Sequence, residues 1–447
     1  MVNLLIKDSK YVITVDSNRR VIRDGAVAID GMEIVEVGKS SDLERKYPQA
    51  ETIDAKDKLV MPGLFDCHAH CGQPIIRGLW MIPRRQRSGA RFTFGYPLLE
   101  VYNRDDFRAA MALNCLEYIK SGVVGFCDWG QGGNVDDLAG IVDKSGIRGV
   151  LGRLIETPDL PSGKNESIED MKKEIKKWHG KADDRLKVWF AAQPERAPSV
   201  ESFKELATIA KGHGVGITTH VAEWPQLDAE PIWTKYGLSP VEFLHSIGWV
   251  GSNVDFNHCT YLTGIDMKII METNTNVVHC PSRGYDAKVK DMLEMGINVA
   301  LGADGGHLTN DIFDIMQMEN ILQNRSPRRD LTLLYNERII EMATINGAKA
   351  LMWDKETGSI EQGKKADLII VNLNNPRLVP TINPIFDIVA RVRGSDVDTV
   401  IVNGKVIMEN RVVKTMDEAK IIKEAKKKAE GVKERAGHEV EWHWPLT

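Results

Sequence analysis

A pair of histidines, His68 and His70, lies near the end of the stretch from Val60 to Cys71, which reads VMPGLFDCHAHC. Side chains two residues apart point to the same face of an extended strand, so both imidazoles are expected to project together from one strand end. Neutral imidazole is a common ligand of zinc. Two partly buried, hydrogen-bonded histidines would give the same spacing, so a metal site requires further ligands from elsewhere in the chain.

Two more ligand types occur much later in the sequence. His220 lies in GITTHVAE and Asp304 in NVALGADG. With the first pair they form a set of three imidazoles and one carboxylate, which suits a zinc or ferrous ion and leaves a position for water. Metal binding would lower the pKa of that water toward ~7. We therefore predict one divalent metal ion, zinc first and iron as the alternative; without a metal, Asp304 would be a loop cap.

Other polar residues close to these ligands are candidates for catalysis and substrate binding. Glu223, three residues after His220, is predicted to shuttle protons as general acid and base, the alternative being an exposed loop carboxylate. His258, in DFNHCTYLT, is predicted to orient the water or polarise the reacting centre, unless it is a buried structural histidine. The predicted substrate contacts are Gln73, Trp80, Glu195, His279 and His307. A structural role would also explain Gln73, His279 and His307, and the loop that contains Trp80 could instead be solvated or face another subunit.

These residues can meet only if their strands run side by side. After the strand that ends at His70, apolar strands are predicted at 123–129, 148–155, 187–194, 216–223, 254–260, 276–281 and 298–305. Helical patterns lie between them, and several end in glycine. Eight such strands alternating with helices predict an α/β fold, a (β/α)8 TIM-type barrel. The candidate residues fall near the C-terminal ends of the strands, where such barrels carry their active sites.

The two ends of the chain show a different pattern of short, alternating, turn-punctuated strands. They predict one small β-sandwich-like domain built from both ends of the chain. The predicted boundaries are 1–58 for its N-terminal part, 59–357 for the barrel, 358–415 for its C-terminal part, and 416–447 for a surface helix and tail.

Composition narrows the possible partners and compartments. The formal net charge of -5 argues against a nucleic-acid surface, which needs clustered Lys and Arg. No apolar run approaches the ~18 residues of a membrane helix, and the charged N-terminus does not resemble a secretion signal. The six cysteines form no C-x-x-C pair, which is typical of reduced thiols in the cytoplasm. We expect a cytoplasmic protein that binds neither nucleic acid nor membranes.

Several segments together resemble the metal-dependent amidohydrolase superfamily, in particular the branch with adenosylhomocysteine and methylthioadenosine deaminases, guanine deaminase and triazine hydrolases. They are PGLFDCHAH, THVAE, NHCTYLT, VHCPSR, LGADG and GSIEQGKKADLIIVN, followed by VDTVIVNGKVIMENRVV, in the family's order over nearly the whole chain. The resemblance implies a homo-oligomer, with the metal on His68, His70, His220 and Asp304. It also implies that Glu223 shuttles protons, that His258 polarises water or substrate, and that Asp304 passes a proton from the water to the leaving ammonia.

The reaction that the resemblance implies is hydrolytic deamination of an amino-substituted nitrogen heterocycle, purine-, pyrimidine- or triazine-like. The alternatives are hydrolysis of another C–N or C–Cl bond, with a ring amide, alkylamine or chloride leaving group, and a non-catalytic scaffold. Relatives with two metal ions bridge them with a carboxylated lysine at the end of the fourth strand. Here Lys187 lies at the opposite end of that strand, which favours a single ion, although some relatives use a glutamate as the bridge and Glu195 lies just past the strand. The segments QPERAP, HCPSRG and GADGGHLTN differ from those of the nucleoside deaminases, so the reaction type is predicted more sharply than the heterocycle.

Overall fold

The computed structural model describes residues 2–79, 96–130, 132–154, 168–192, 200–283, 287–306, 308–325, 335–437 and 444. The strands of the N-terminal segment are β1 (Leu4–Ile13), β2 (Val21–Asp30), β3 (Glu33–Lys39), β4 (Glu51–Asp54) and β5 (Lys58–Pro62). The next are β6 (Leu64–His70), β7 (Val123–Asp128), β8 (Arg148–Leu154), β9 (Leu186–Ala192), β10 (Ile217–Val221), β11 (Val254–His258), β12 (Asn276–His279), β13 (Val299–Leu301) and β14 (Asp304–Gly305). The last are β15 (Leu368–Asn372), β16 (Val397–Val402), β17 (Lys405–Glu409) and β18 (Val412–Val413).

Helices connect most of these strands. They are α1 (Ser40–Lys46), α2 (Tyr96–Glu100), α3 (Arg104–Ser121), α4 (Val135–Ser145), α5 (Ile168–Trp178), α6 (Val200–His213), α7 (Glu230–Tyr236), α8 (Pro240–Ser246), α9 (Gly264–Thr273), α10 (Val289–Glu294), α11 (Ile312–Arg325), α12 (Asn336–Ala343), α13 (Ile345–Ala350), α14 (Pro384–Ala390) and α15 (Glu418–Ala436). Short helical segments are Pro74–Ile76, Lys181–Asp184, Pro225–Ala229, Pro281–Arg283 and Gly394–Asp396. Among the described residues, no helix combines the length and apolar character needed to cross a lipid bilayer.

The central sheet closes on itself. Its strand order is β13-β12-β11-β10-β9-β8-β7-β6-β14, and all recorded pairs are parallel. The two outer members, β13 and β14, are separated by only Gly302 and Ala303, so they are successive pieces of one strand that pairs with β12 first and then with β6. Eight strands therefore form a closed barrel, and the predicted fold class is confirmed.

The second sheet joins the two ends of the chain, as predicted. Its order is β18-β17-β16-β15-β5-β1-β2-β3, with β4 on the other edge of β1. The predicted boundary at 58/59 falls within β5, which belongs to this second sheet and pairs with β15 as far as Pro62. The chain enters the barrel after Gly63, where a Cβ atom would lie 2.2 Å from a Val124 methyl group. Only glycine permits this close approach between the two sheets.

Candidate functional site

The histidine pair of β6 comes from an irregular strand. The pairing of β6 with β7 shifts register between Asp66 and Ala69, on either side of His68. Such a shift redirects side chains locally and is common next to active sites. His68 and His70 are both buried, and their ring centroids are 5.0 Å apart. The strand end thus presents two imidazoles together, as the two-residue spacing predicts.

Side chains from three other strands converge on this pair. The ligand atoms of His68, His220, His258 and Asp304 all lie within 4.8 Å of one another. Asp304 Oδ1 is 3.5 Å from His68 Nε2 and 3.1 Å from Nε2 of His70. The imidazole rings of His220 and His258 are stacked, with centroids 5.1 Å apart. The structure therefore brings together the predicted metal ligands and His258.

Backbone conformation at the strand ends turns two of these side chains inward. His258 has φ +74° and Asp304 has φ +65°, in the left-handed region that residues other than glycine seldom adopt. Regular alternation along β11 would put His258 on the face opposite Asn257, which is the register partner of His220. The left-handed turn breaks that alternation. Such strain at a functional site persists only where the surrounding structure over-determines it.

Asp66 connects the strands that carry the ligands. Its carboxylate accepts hydrogen bonds from the Tyr118 hydroxyl, at 2.6 Å, and from the backbone amides of His68, at 3.3 Å, and Ala303, at 2.9 Å. Burial raises the pKa of Asp66 to about 7, although these donors act in the opposite direction. One buried carboxylate thus ties α3 to the backbone next to both His68 and Asp304.

Glu223 lies beside the cluster, as predicted for a proton shuttle. It is buried, its Oε2 is 3.8 Å from His258 Nε2, and its Oε1 accepts a hydrogen bond from the Trp224 indole at 2.8 Å. Its backbone amide donates to Asp228 Oδ2 at 2.6 Å. Burial raises the pKa of Asp228 to about 6, and the negative charge of Glu223 adds to that rise. The exposed loop carboxylate considered as the alternative does not describe Glu223.

The structure describes only two of the predicted substrate contacts, Gln73 and His279. Gln73 is buried, and its backbone amide donates to the His70 carbonyl at 3.0 Å. His279 lies against Glu319 of α11, with 3.0 Å between Nε2 and Oε2. The register partner of Asn257 on β12 is Val278, so His279 faces away from His220, and the structure does not bring it to the cluster. Trp80, Glu195 and His307 lie outside the described residues and stay predictions.

Three buried residues that contact predicted site residues did not emerge from the sequence as candidates. Trp129 follows β7 directly and contacts the rings of His70 and His220. Asp228 and Glu319 are the buried partners of Glu223 and His279. An aromatic residue just past a strand end would have been the signal for Trp129. A lone glutamate in the largely apolar MQMENIL would have been the signal for Glu319.

The donor set fits a single divalent ion. Neither ring nitrogen of His68 has a hydrogen-bond partner among the described residues, although the side chain is fully buried. Buried imidazole nitrogens without partners are costly unless another group satisfies them. Two ligands of one zinc ion are at most about 4.2 Å apart, twice a zinc–nitrogen bond. The cluster could therefore hold an ion after its ligand atoms close by less than about 1 Å.

A family model described as the amidohydrolase family matches residues 59–407, which include the barrel and a smaller part of the second sheet. The chain belongs to the amidohydrolase family. A second model, described as an imidazolonepropionase-like composite domain of bacteria, matches residues 25–50. The predictions of the superfamily and of a hydrolase acting on C–N bonds are thereby confirmed.

Curated relatives align over nearly the whole amidohydrolase chain. A 5'-deoxyadenosine deaminase from Methanosarcina acetivorans is 34% identical over 98% of this chain and 100% of its own length. A 5-methylthioadenosine/S-adenosylhomocysteine deaminase from Thermoanaerobacter pseudethanolicus is 33% identical over 97% of this chain and 100% of its own. The predicted reaction, metal-dependent deamination of an amino-substituted heterocycle, agrees with these relatives, and so does the predicted branch of the superfamily.

Solved structures confirm the fold of this amidohydrolase. An adenosine deaminase from Xanthomonas campestris with bound zinc superposes with a TM-score of 0.89, at 23% identity, over 97% of this chain and 99% of the other. An atrazine chlorohydrolase from Arthrobacter aurescens TC1 complexed with zinc gives a TM-score of 0.82, at 22% identity, over 95% and 100% of the two chains. At these identities the likeness extends to the architecture alone.

Proposed function

We propose that this amidohydrolase is a zinc-dependent aminohydrolase, which replaces the exocyclic amine of a nitrogen heterocycle with a carbonyl oxygen and releases ammonia. The observation that carries the proposal is the convergence of His68, His220, His258 and Asp304, with Glu223 beside them, at one end of the barrel. The names of the curated relatives support an amine as the leaving group and a 5'-modified adenosine as the first substrate to test.

The zinc ligands in this proposal are His68, His70, His220 and Asp304. Three imidazoles and a carboxylate are a ligand set that zinc accepts, with iron as the alternative. All four side chains are buried, which limits competition from bulk water. When bound, the ion supplies Lewis acidity and lowers the pKa of a coordinated water toward ~7.

The proton transfers are assigned to residues of the chain itself. As the water oxygen adds to the amine-bearing carbon, Asp304 takes a proton from the water and Glu223 protonates the adjacent ring nitrogen. His258, 3.8 Å from Glu223, holds the water and the developing alkoxide in place. The carbon–nitrogen bond then breaks, the amine leaves as ammonia with the proton held by Asp304, and Glu223 recovers its proton as the carbonyl forms. One water is consumed and one ammonia is released.

A substrate panel with matched carboxylate variants tests this function. Ammonia release is measured with 5'-deoxyadenosine, methylthioadenosine, adenosylhomocysteine, guanine, cytosine, a pterin and an aminotriazine, and chloride release with a chlorotriazine. We expect ammonia from at least one amine. Glu223→Gln should lower kcat by about 10²–10⁴-fold with unchanged zinc content, whereas Glu230→Gln, an exposed carboxylate in α7, should keep wild-type turnover. Chloride release alone, or wild-type turnover by Glu223→Gln, would contradict the proposal.

We also propose that the enzyme acts in the cytoplasm as a homo-oligomer. All six cysteines are free and buried, which agrees with a reducing compartment. Light scattering of the purified protein measures the assembly, and a monomer at micromolar concentration would contradict the oligomer.

A further inference from the structure

Trp129 lies across two imidazoles of the cluster. Its ring centroid is 4.3 Å from that of His220 and 5.5 Å from that of His70, at interplanar angles of 73° and 70°. The two imidazole planes are nearly parallel, 12° apart. One indole plane therefore stands almost perpendicular to both imidazoles, an arrangement that aromatic rings favour.

Packing rather than hydrogen bonding holds this indole. The ring is fully buried, and its Nε1–H has no acceptor among the residues that the structure describes. The backbone amide of Trp129 donates to the carbonyl of Ala69, the residue between His68 and His70, at 2.9 Å. The side chain of Trp129 contacts one histidine of that pair while its backbone binds the residue between them.

Two glycines allow the turn that places Trp129. Gly130 has φ +80°, and a Cβ atom there would lie 2.1 Å from the carbonyl oxygen of Gly152. A Cβ atom on Gly152 would lie 2.4 Å from the carbonyl oxygen of Asp128. The ends of β7 and β8 are thus in direct backbone contact. This contact leaves the Trp129 backbone little freedom to move away from the histidines.

We propose that Trp129 is a positioning residue for the metal ligands, an inference that rests on the metal site proposed above. Its indole fixes the ring planes of His70 and His220 by edge contact, without using either ring nitrogen as a hydrogen-bond partner. This contact removes the freedom of the two rings to rotate away from the cation. Hydrogen-bonding groups that orient metal-ligating histidines typically change metal affinity by 10–100-fold when they are removed, and the packing of Trp129 restricts the same ring rotations.

Trp189 provides a matched control. It is the register partner of Gly152 on β9, is fully buried, and likewise has an Nε1–H without an acceptor among the described residues. Its ring lies over Gly216, where a Cβ atom would be 2.4 Å away, and no contact with a histidine ring is recorded for it in the described part of the chain. A change at Trp189 therefore disturbs the same barrel interior but not the ligand rings.

The test compares Trp129→Phe, Trp129→Leu and Trp189→Phe with wild type. Zinc affinity is measured by chelator competition, and ligand geometry by the visible absorption bands of the cobalt(II)-substituted protein. We expect Trp129→Leu to weaken zinc binding on the order of 10–100-fold and to shift the cobalt bands. Trp129→Phe, which keeps an aromatic ring, should retain most of the wild-type zinc affinity. Trp189→Phe should lower thermal stability but retain the wild-type affinity and spectrum.

Each other outcome has a definite meaning. If both Trp129 variants keep the wild-type affinity and spectrum, or if Trp189→Phe loses as much affinity, the positioning role is wrong while the metal site stands. If the wild-type protein binds no stoichiometric zinc or cobalt, the proposed metal site itself is wrong. Should Trp129→Leu fail to fold, Trp129→Met decides, because methionine also lacks the aromatic ring: a cobalt spectrum and zinc affinity identical to wild type would then indicate a merely structural tryptophan.

Discussion

At the scale of single residues, His70 and His258 are rival members of the ligand set. The group whose ligand atoms all lie within 4.8 Å contains His258, whereas His70 Nε2 is 3.1 Å from Asp304 Oδ1. We assign the metal to His70, because it shares a strand with His68, and assign His258 to catalysis, because it lies next to Glu223.

Metal content of His70→Ala and His258→Ala separates the two roles. Removing a ligand should release the ion, so purified His70→Ala should contain well under one zinc per chain. His258→Ala should retain about one zinc but lose turnover by about 10²–10³-fold, as expected when a polar group that stabilises the transition state is removed. Zinc content is measured by atomic emission on protein purified without chelator. The reverse pattern would assign the metal to His258 and the catalytic role to His70.

The buried carboxyl of Asp228 leads to a prediction about how stability depends on pH. Burial raises the pKa of its carboxyl from 3.8 to about 6 in the folded protein. The folded state therefore takes up a proton as the pH falls through about 6, and the associated stability is complete below 3.8 and lost as the pH rises through about 6. At about 1.4 kcal/mol per pKa unit, this contribution to the free energy of unfolding amounts to about 3 kcal/mol.

Asp228→Asn removes this titration. The unfolding free energy of wild type minus that of Asp228→Asn should rise by up to about 3 kcal/mol between pH 7.5 and pH 4. Urea unfolding of the metal-free proteins measures the difference, and comparison with the variant cancels other buried acids such as Asp66 and Asp128, whose pKa values burial also raises. A difference that does not change with pH would show that Asp228 is not protonated preferentially in the folded state.

At the scale of elements, sequence patterns predict the barrel strands and the end that carries the site. Apolar runs separated by helical periodicity define those strands, and the polar residues at their C-terminal ends mark the site. What the patterns miss is backbone conformation. The left-handed turns at His258 and Asp304 and the register shift around His68 depend on neighbouring strands, which no local sequence pattern contains. Trp129 and Glu319 were missed for a similar reason, since their roles come from tertiary contacts.

The barrel closes where β14 pairs with β6, and the contact between these strands can be tested at Gly302, between β13 and β14. A Cβ atom there would lie 2.8 Å from the Cβ atom of His68 and 3.1 Å from its backbone nitrogen and oxygen. Gly302→Ala should therefore push the strand carrying Asp304 away from β6, costing about 1–3 kcal/mol of unfolding free energy and weakening zinc binding. Gly140→Ala, in α4 with no atom within 4 Å of the added methyl, is the control and should stabilise the protein slightly. Equal zinc affinity in both variants would show that the close packing at Gly302 does not help to position Asp304.

At the scale of the whole molecule, the barrel and the sheet from the chain ends share one hydrophobic core. The largest cluster of buried apolar side chains contains Leu59, Met61 and Ile369 from the sheet together with Phe65 and Val124 from the barrel. The metal ligands lie at the C-terminal ends of the barrel strands. The second sheet therefore supports the barrel without contributing any of the proposed ligands.

A buried ion pair links the two units at the opposite end of the barrel. Arg148, the first residue of β8, is fully buried, and its Nε is 2.6 Å from Oδ2 of Asp367, which precedes β15. The other carboxylate oxygen of Asp367 accepts a hydrogen bond from the backbone amide of Asn403 at 2.7 Å. The seven residues of β8 separate Arg148 from the catalytic end by about 20 Å.

Stability and catalysis should therefore respond differently to Arg148→Met. Removing the guanidinium leaves the Asp367 carboxylate buried without its cation, which typically costs about 3–5 kcal/mol, whereas kcat and KM of the folded enzyme should stay at wild-type values because the catalytic end is far away. Adding Asp367→Asn to the same chain removes the unpaired charge and should recover part of the loss in urea unfolding. If Arg148→Met instead lowers kcat in fully folded protein, then the second sheet influences the catalytic end through β8, and its role is more than mechanical support.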